Sequence, residues 1–422
     1  MFKKTTLKNG LRIITIPQQG TKTATVLVLA ATGSKYESKK INGISHLLEH
    51  LLFKGTTKRP DKIAISEPLD RIGGNYNAFT GEEYTGYFAK VGSENFDLAL
   101  DIVSDVYLNS KLDAKEIKRE KGVVIEEMNM YYDNPISYVQ NLWNKVLYGD
   151  QAAGRDIIGT KESVLGLSRK ELFDYMKTQY SSTNTIVCVA GNIPSTERVV
   201  NKIKKYFSNI KTKDTIEKYP VIEKQKEPKL LLKEKKTDQT HFCLGVRAYD
   251  LFDSRKYTQE VLALVLGGMM SSRLFIKIRE ELGLAYYIKT SISSYPENGC
   301  LVTQAGVDNT KAEKAISAVL KEYKRISEEK VSLKELKKVK DYFKGKMSLS
   351  LETSDSQAFF YGGQEVMEKN ILSPKEICNE IDKVSSEDIF NVAQDIFKPE
   401  KLNLALIGPF KDKKKFQKLL KL

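Results

Sequence analysis

Histidine is scarce in these 422 residues: there are three, against four cysteines and a single tryptophan. The cysteines, Cys188, Cys243, Cys300 and Cys378, stand too far apart for a disulfide framework or a paired thiolate zinc site, and they suit a reducing compartment. No apolar run reaches the ~18–20 residues of a membrane span. The opening Met1-Phe2-Lys3-Lys4 is basic, but no apolar core or small-residue cleavage site of a signal peptide follows. The expectation is a soluble, cytoplasmic protein with no membrane partner. Nucleic acid is also excluded as an expected partner, despite a formal charge of +14. The lysines are interleaved with glutamate on helix-patterned stretches such as Ala312–Lys330 and Ser332–Lys346. That pattern belongs to a solvated surface, and no aromatic-interleaved basic patch accompanies it.

Two of the three histidines, His46 and His50, stand four residues apart within Gly43–Thr56. On a helix such a pair faces one way, with Cβ atoms about 5–6 Å apart. Both imidazoles can then reach one metal ion at about 2.0–2.1 Å. Glu49 lies about 60° around the helix from His46, near enough to touch a water on that ion without being a ligand. Imidazole and carboxylate are zinc-site donors, and His-x-x-Glu-His is the inverzincin order.

Along the chain, alternation marks strands over residues 5–34, clearest in Thr23–Ala30, and the Asn42-Gly43 break opens the histidine helix. Gly73–Gly81 runs into a strand over Glu83–Val91. Helical periodicity covers Asn95–Asn109, Ala114–Tyr132, Ile136–Leu147 and Ser168–Thr178. An apolar strand at Thr185–Ala190 and a helix at Ser195–Phe207 close the first half. Residues 210–228 are charged and proline-marked, a linker. The order then repeats: strands at Lys229–Lys235 and His241–Ala248, helices at Tyr257–Leu266 and Ser272–Leu282, strands at Ala285–Ser293 and Leu301–Val307. Helices at Lys311–Lys330 and Ser332–Met347 and a closing strand at Leu402–Ile407 follow. Ala114-Lys-Glu-Ile-Lys-Arg matches Leu333-Lys-Glu-Leu-Lys-Lys. The expected fold is α+β, two homologous half-domains, each a mainly antiparallel sheet packed with helices: 1–209, a linker 210–228, and 229–422. In the second copy Val261, Leu264 and Val265 replace His46, Glu49 and His50, so one metal site is expected per chain, not two.

Two histidines and a water leave a tetrahedral zinc one protein ligand short. Glu120 and Glu127 lie seven residues apart, on one face of the long helix Ala114–Tyr132. One can ligate while the other orients an imidazole. Glu126 competes for the ligand role, but its angle from Glu120 favours Glu127, whose counterpart in the second half is Lys346. His241, in a strand of the second half, is expected to be structural.

With these residues in place the chain resembles the pitrilysin-type inverzincin metallopeptidases, most closely the β-subunits of mitochondrial processing peptidase and their bacterial relatives. The resemblance spans essentially the whole chain. It rests on His46-x-x-Glu49-His50 with Glu120-x6-Glu127, on Asn77-Ala78-Phe79-Thr80, and on Ser271-Ser-Arg-Leu-Phe275 followed by Arg279-x6-Tyr286. It implies one zinc per chain on His46, His50 and Glu127, Glu49 as base and Glu120 as a supporting carboxylate. It further implies that Arg279 and Tyr286 contact the substrate carbonyl and the intermediate, and that Asn77–Thr80 is an edge strand pairing with an extended peptide. The family's chamber is built of four half-domains. Two halves per chain therefore imply a homodimer, with a heterodimer the other arrangement relatives use.

The function this implies is zinc-dependent endopeptidase activity on extended or unfolded peptides, with Glu49 taking a proton from water. The alternative is a non-catalytic, substrate-binding or scaffold subunit of the same fold. Such subunits typically lose the histidines or the glutamates, and this chain keeps all of them.

Overall fold

The computed structural model describes residues 2–422. The strands are β1 (Lys3–Thr6), β2 (Arg12–Pro17), β3 (Thr23–Ala30), β4 (Asn75–Thr80), β5 (Thr85–Gly92), β6 (Thr185–Gly191), β7 (Lys229–Glu234), β8 (Gln239–Ala248), β9 (Ala285–Tyr295), β10 (Asn298–Asp308) and β11 (Leu402–Gly408). The first eight α-helices are α1 (Ile44–Leu52), α2 (Lys62–Asp70), α3 (Phe96–Asn109), α4 (Ala114–Asp133), α5 (Pro135–Tyr148), α6 (Lys161–Gly166), α7 (Arg169–Gln179) and α8 (Thr196–Phe207). Then come α9 (Lys256–Gly267), α10 (Ala312–Glu328), α11 (Leu333–Ser350), α12 (Ser354–Met367), α13 (Pro374–Lys383) and α14 (Ser386–Ile396). The helix expected at Ser272–Leu282 is wound as a wider π-helix over Phe275–Glu281.

One unit holds a six-stranded sheet in the order β1-β2-β6-β3-β5-β4, the other a five-stranded sheet in the order β7-β11-β8-β10-β9. Without β1, the two orders are the same element for element, which is the internal repeat expressed as topology. Each sheet has one parallel pair, β2–β6 and β7–β11, and is otherwise antiparallel. The fold is α+β.

The compact units are not the contiguous halves 1–209 and 229–422. The first comprises the chain up to Met128, Asp156–Tyr219 and Ser348–Ile371; the second comprises Asn129–Arg155, Pro220–Met347 and Leu372–Leu422. The reason lies in the strands. In the first sheet Val26, Val28, Val187 and Val189 face one core, while their neighbours Leu27, Leu29, Ile186 and Cys188 face another. A sheet apolar on both faces must be covered on both. The second face is covered by α12, through Ala358 and Tyr361. In the second unit α5 does the same with Val139, Leu142, Trp143 and Leu147, against Cys243, Cys300, Ala405 and Ile407. Each sheet thus takes one covering helix from the other half of the sequence.

Residues 210–228 carry no helix or strand, as a linker should, but they are fastened. Ile216 N–H donates to Gln179 in the first unit, and Ile222 N–H to Gln151 in the second.

Candidate metal and catalytic centre

The centre lies in the first unit and is built from α1, α4 and β4. Helix α1 starts at Gly43, whose φ of +92° favours glycine, and a Cβ there would stand 2.7 Å from the carbonyl of Ile158. Two N–H groups at its start are taken by Glu37, a carboxylate with no solvent exposure. Its Oε2 accepts from Gly43 N–H at 2.7 Å and from the Asn42 amide at 3.0 Å; Oε1 accepts from Ser45 N–H at 3.0 Å. Burial raises the Glu37 pKa above its ordinary value, and these donors oppose the shift. The Ser45 hydroxyl and the Tyr175 hydroxyl, 3.0 Å apart, tie the same turn to α7. The rest of α1 is anchored by Leu47, Leu48, Leu51 and Leu52, all in the core.

Helix α4 buries Ile117, Glu120, Val124 and Met128, a stripe at helical spacing with one carboxylate in it. Glu120, 2% exposed, needs partners. Lys54 Nζ pairs with Oε1 at 2.8 Å, and His50 Nδ1 lies 3.4 Å from Oε2. A carboxylate only accepts, so a neutral His50 that donates Nδ1–H to Glu120 keeps its Nε2 lone pair for a metal.

That lone pair faces Glu127. His50 Nε2 stands 3.3 Å and His46 Nε2 3.6 Å from Glu127 Oε2. The imidazole centroids are 4.8 Å apart. Donor atoms of the three residues all lie within 4.8 Å of one another, the only such set among the described residues. Ligands about 2.0–2.1 Å from a tetrahedral zinc stand roughly 3.3–3.4 Å apart, so the spacing fits one shared ion better than strong hydrogen bonds. His46 and then His50 hold the Glu127 carboxyl down at about 2. At His50 burial resists the charged form, but Glu127, Glu49 and Glu120 outweigh it and raise the imidazole pKa. The concentration of negative charge is what a divalent cation requires. His46 Nδ1 is buried with no hydrogen-bond partner, so only one of the two imidazoles has an outer carboxylate to orient it.

Glu49 is held from the side. Thr80, the last residue of β4, donates its hydroxyl to Glu49 Oε2 at 2.7 Å. β4 is an edge strand, paired only with β5 within its unit. Ala78 joins the core shared with α1, while Phe79 packs against Phe359 of α12 at 5.5 Å between centroids. Asn77 is exposed, and its Oδ1 accepts from Ala78 N–H at 2.9 Å. Glu126 is exposed, away from the cluster that takes Glu127.

Arg279 and Tyr286 belong to the second unit. The Arg279 guanidinium lies 4.8 Å over the Phe275 ring and its Nε is 3.7 Å from Glu280, while Tyr286 is 77% exposed near the start of β9. In α9, Val261 and Val265 are buried core. His241 is buried in β8, with Nδ1 3.1 Å from the Tyr287 hydroxyl, a structural setting.

Residues 12–161 match the family described as "Insulinase (Peptidase family M16)", and residues 166–343 match "Peptidase M16 inactive domain". An "Uncharacterized zinc protease YmxG" of Bacillus subtilis is 36% identical over 410 residues, 97% of this chain and 98% of that protein. The chain belongs to the M16 peptidase family. An uncharacterized zinc protease of Streptomyces coelicolor is 31% identical, over 97% of this chain and 90% of its own length. Among solved structures, a protease from Helicobacter pylori superposes with a TM-score of 0.91 at 24% identity, covering 97% of this chain and all of its own, which is a likeness of fold. The M16 "inactive domain" match begins within the first unit, at residue 166, and runs through residue 343, taking in Val261 and Val265.

Among residues that bear on the candidate site, Lys54, Glu37 and the Thr80–Glu49 contact are not visible in the motif. Lys54 could have been found as the residue one turn beyond His50. Glu37 has no local signal, because it caps the helix from a preceding loop.

Proposed function

We propose that this chain is a zinc-dependent endopeptidase acting on extended peptides. The observation that carries the reading is the convergence of His46, His50 and Glu127 on one point, with Glu49 beside it and an edge strand whose last residue, Thr80, contacts Glu49. Zinc bound there supplies Lewis acidity, which polarises a carbonyl and acidifies water. Glu49 takes the proton from the attacking water and passes it to the leaving amine. The outer edge of β4 offers backbone groups to an extended substrate, which favours unfolded segments over a fixed sequence. Glu120 keeps His50 in its ligating tautomer. Arg279 and Tyr286, carried over from the family resemblance, steady the carbonyl oxygen as charge builds on it. One zinc per chain and pairing of two copies into a chamber belong to the same proposal.

The test is hydrolysis of a quenched fluorescent peptide by protein as purified, after chelation, and after zinc is restored. Loss and recovery of cleavage with the metal supports the reading. A protein that binds peptide but never cleaves it, whatever its metal content, contradicts it and supports a substrate-holding subunit.

A further inference from the structure

We propose that Thr80 is a positioning residue for the general base, so that the strand which docks the peptide also aims the carboxylate that serves it. This rests on the peptidase reading above. The Thr80 hydroxyl donates to Glu49 Oε2 at 2.7 Å. It occupies one oxygen and leaves Oε1 to take a proton.

The support behind the hydroxyl is stiff. Threonine is β-branched and restricted at χ1. Thr80 is the last residue of β4 and pairs with Thr85, so it stands at the mouth of the β4–β5 hairpin. That turn is closed by Gly81 N–H donating to the Tyr84 carbonyl at 2.9 Å. It is anchored by Glu83, 5% exposed, which takes Lys35 at 2.9 Å and Lys218 at 3.2 Å. A buried ion pair this close to the turn fixes where Thr80 sits. On the other side, Glu49 projects from α1, whose first turn Glu37 fixes. The hydroxyl therefore joins two independently anchored elements, and a glutamate with three free torsions is confined to one orientation.

The chemistry separates this role from peptide pairing. A strand that merely docks the substrate acts through backbone groups, which a side-chain change at Thr80 leaves in place. Removal of a hydroxyl that aims the base instead slows the chemical step.

The experiment compares wild type, Thr80→Val, Thr80→Ser, Glu49→Gln and the double variant Thr80→Val/Glu49→Gln, on one quenched peptide, with zinc content and Tm for each. Thr80→Val should keep stoichiometric zinc and a KM within about twofold, and lose roughly 10- to 100-fold in kcat, the worth of a hydrogen bond to a charged acceptor. Thr80→Ser should recover most of that loss, and Thr80→Val should cost nothing further in the Glu49→Gln background. An unchanged kcat in Thr80→Val, a rise in KM at constant kcat, or a serine variant no better than valine would overturn the proposal. Should the valine variant lose its fold, Thr80→Ala is read against Thr80→Ser by the same criteria. A Glu49→Gln variant as active as wild type would instead bring down the peptidase mechanism itself.

Discussion

Glu120 and His50 face each other across 3.4 Å, and Lys54 holds the far oxygen of the same carboxylate at 2.8 Å. This places a lysine–glutamate pair with a buried carboxylate behind one metal-facing imidazole. Glu120→Gln keeps the shape but removes the charge, and an amide flipped to offer N–H leaves His50 Nδ1 without its acceptor. Zinc affinity, measured by competition with a chelator of known strength, should fall about 10- to 100-fold, the usual cost of losing such an orienting partner.

Among the described residues, Glu127 is the only carboxylate that shares a metal-sized space with both histidines. Glu127→Ala should abolish stoichiometric zinc after dialysis, whereas Glu126→Ala, at an exposed position, should retain it. Elemental analysis of the two purified variants decides between them.

Stability of the metal-free protein should depend on pH through the same residues. The Glu127 pKa is lowered from 4.5 to about 2, so its contribution is present above 4.5 and is lost as pH falls toward 2. The His50 pKa is raised above 6.5, so its contribution is complete below 6.5 and is lost as pH rises through the raised value. Both act together between 4.5 and 6.5, where Tm of the chelated protein should be highest. Metal competes with the proton on His50, so zinc affinity should rise with pH on the alkaline side. A thermal melt series with and without chelator reads both trends.

Glu37 caps the histidine helix from inside the core. Glu37→Ala leaves two backbone N–H groups without their acceptor, leaves the Asn42 amide only the Asp156 carbonyl, and opens a cavity, which should cost about 2–4 kcal/mol. Because α1 carries His46, Glu49 and His50, zinc affinity should fall together with Tm. A variant with lowered Tm and wild-type zinc affinity would show that the helix holds its line without the cap.

Much of this was legible in the sequence because it follows spacing. The four-residue step from His46 to His50 and the seven-residue step from Glu120 to Glu127 each fix a helix face, and those faces converge. The repeat was legible because the strands and helices recur in one order, and the sheets share that order. What stayed hidden depends on contacts remote in sequence. Glu37 reaches Gly43 from a loop, and Thr80 meets Glu49 from another element. The exchange of α5 and α12 between sheets was out of reach because an apolar helix stripe does not say which sheet it covers. Helices α12, α13 and α14, between α11 and β11, lie outside the expected elements, although the capping boxes Ser373–Glu376 and Ser385–Asp388 mark two of their starts in the sequence. Arg279 and Tyr286 owe their proposed role to resemblance alone.

The most direct measurement of the central claim is zinc content and peptide cleavage in the same preparation of Glu49→Gln, beside wild type. Glu49 takes no part in the ligand set, so the variant should hold one zinc per chain and lose roughly 100-fold or more in kcat, the scale of a general base. Cleavage that persists at the wild-type rate with zinc bound would contradict the account, as would a wild-type protein that takes up no zinc.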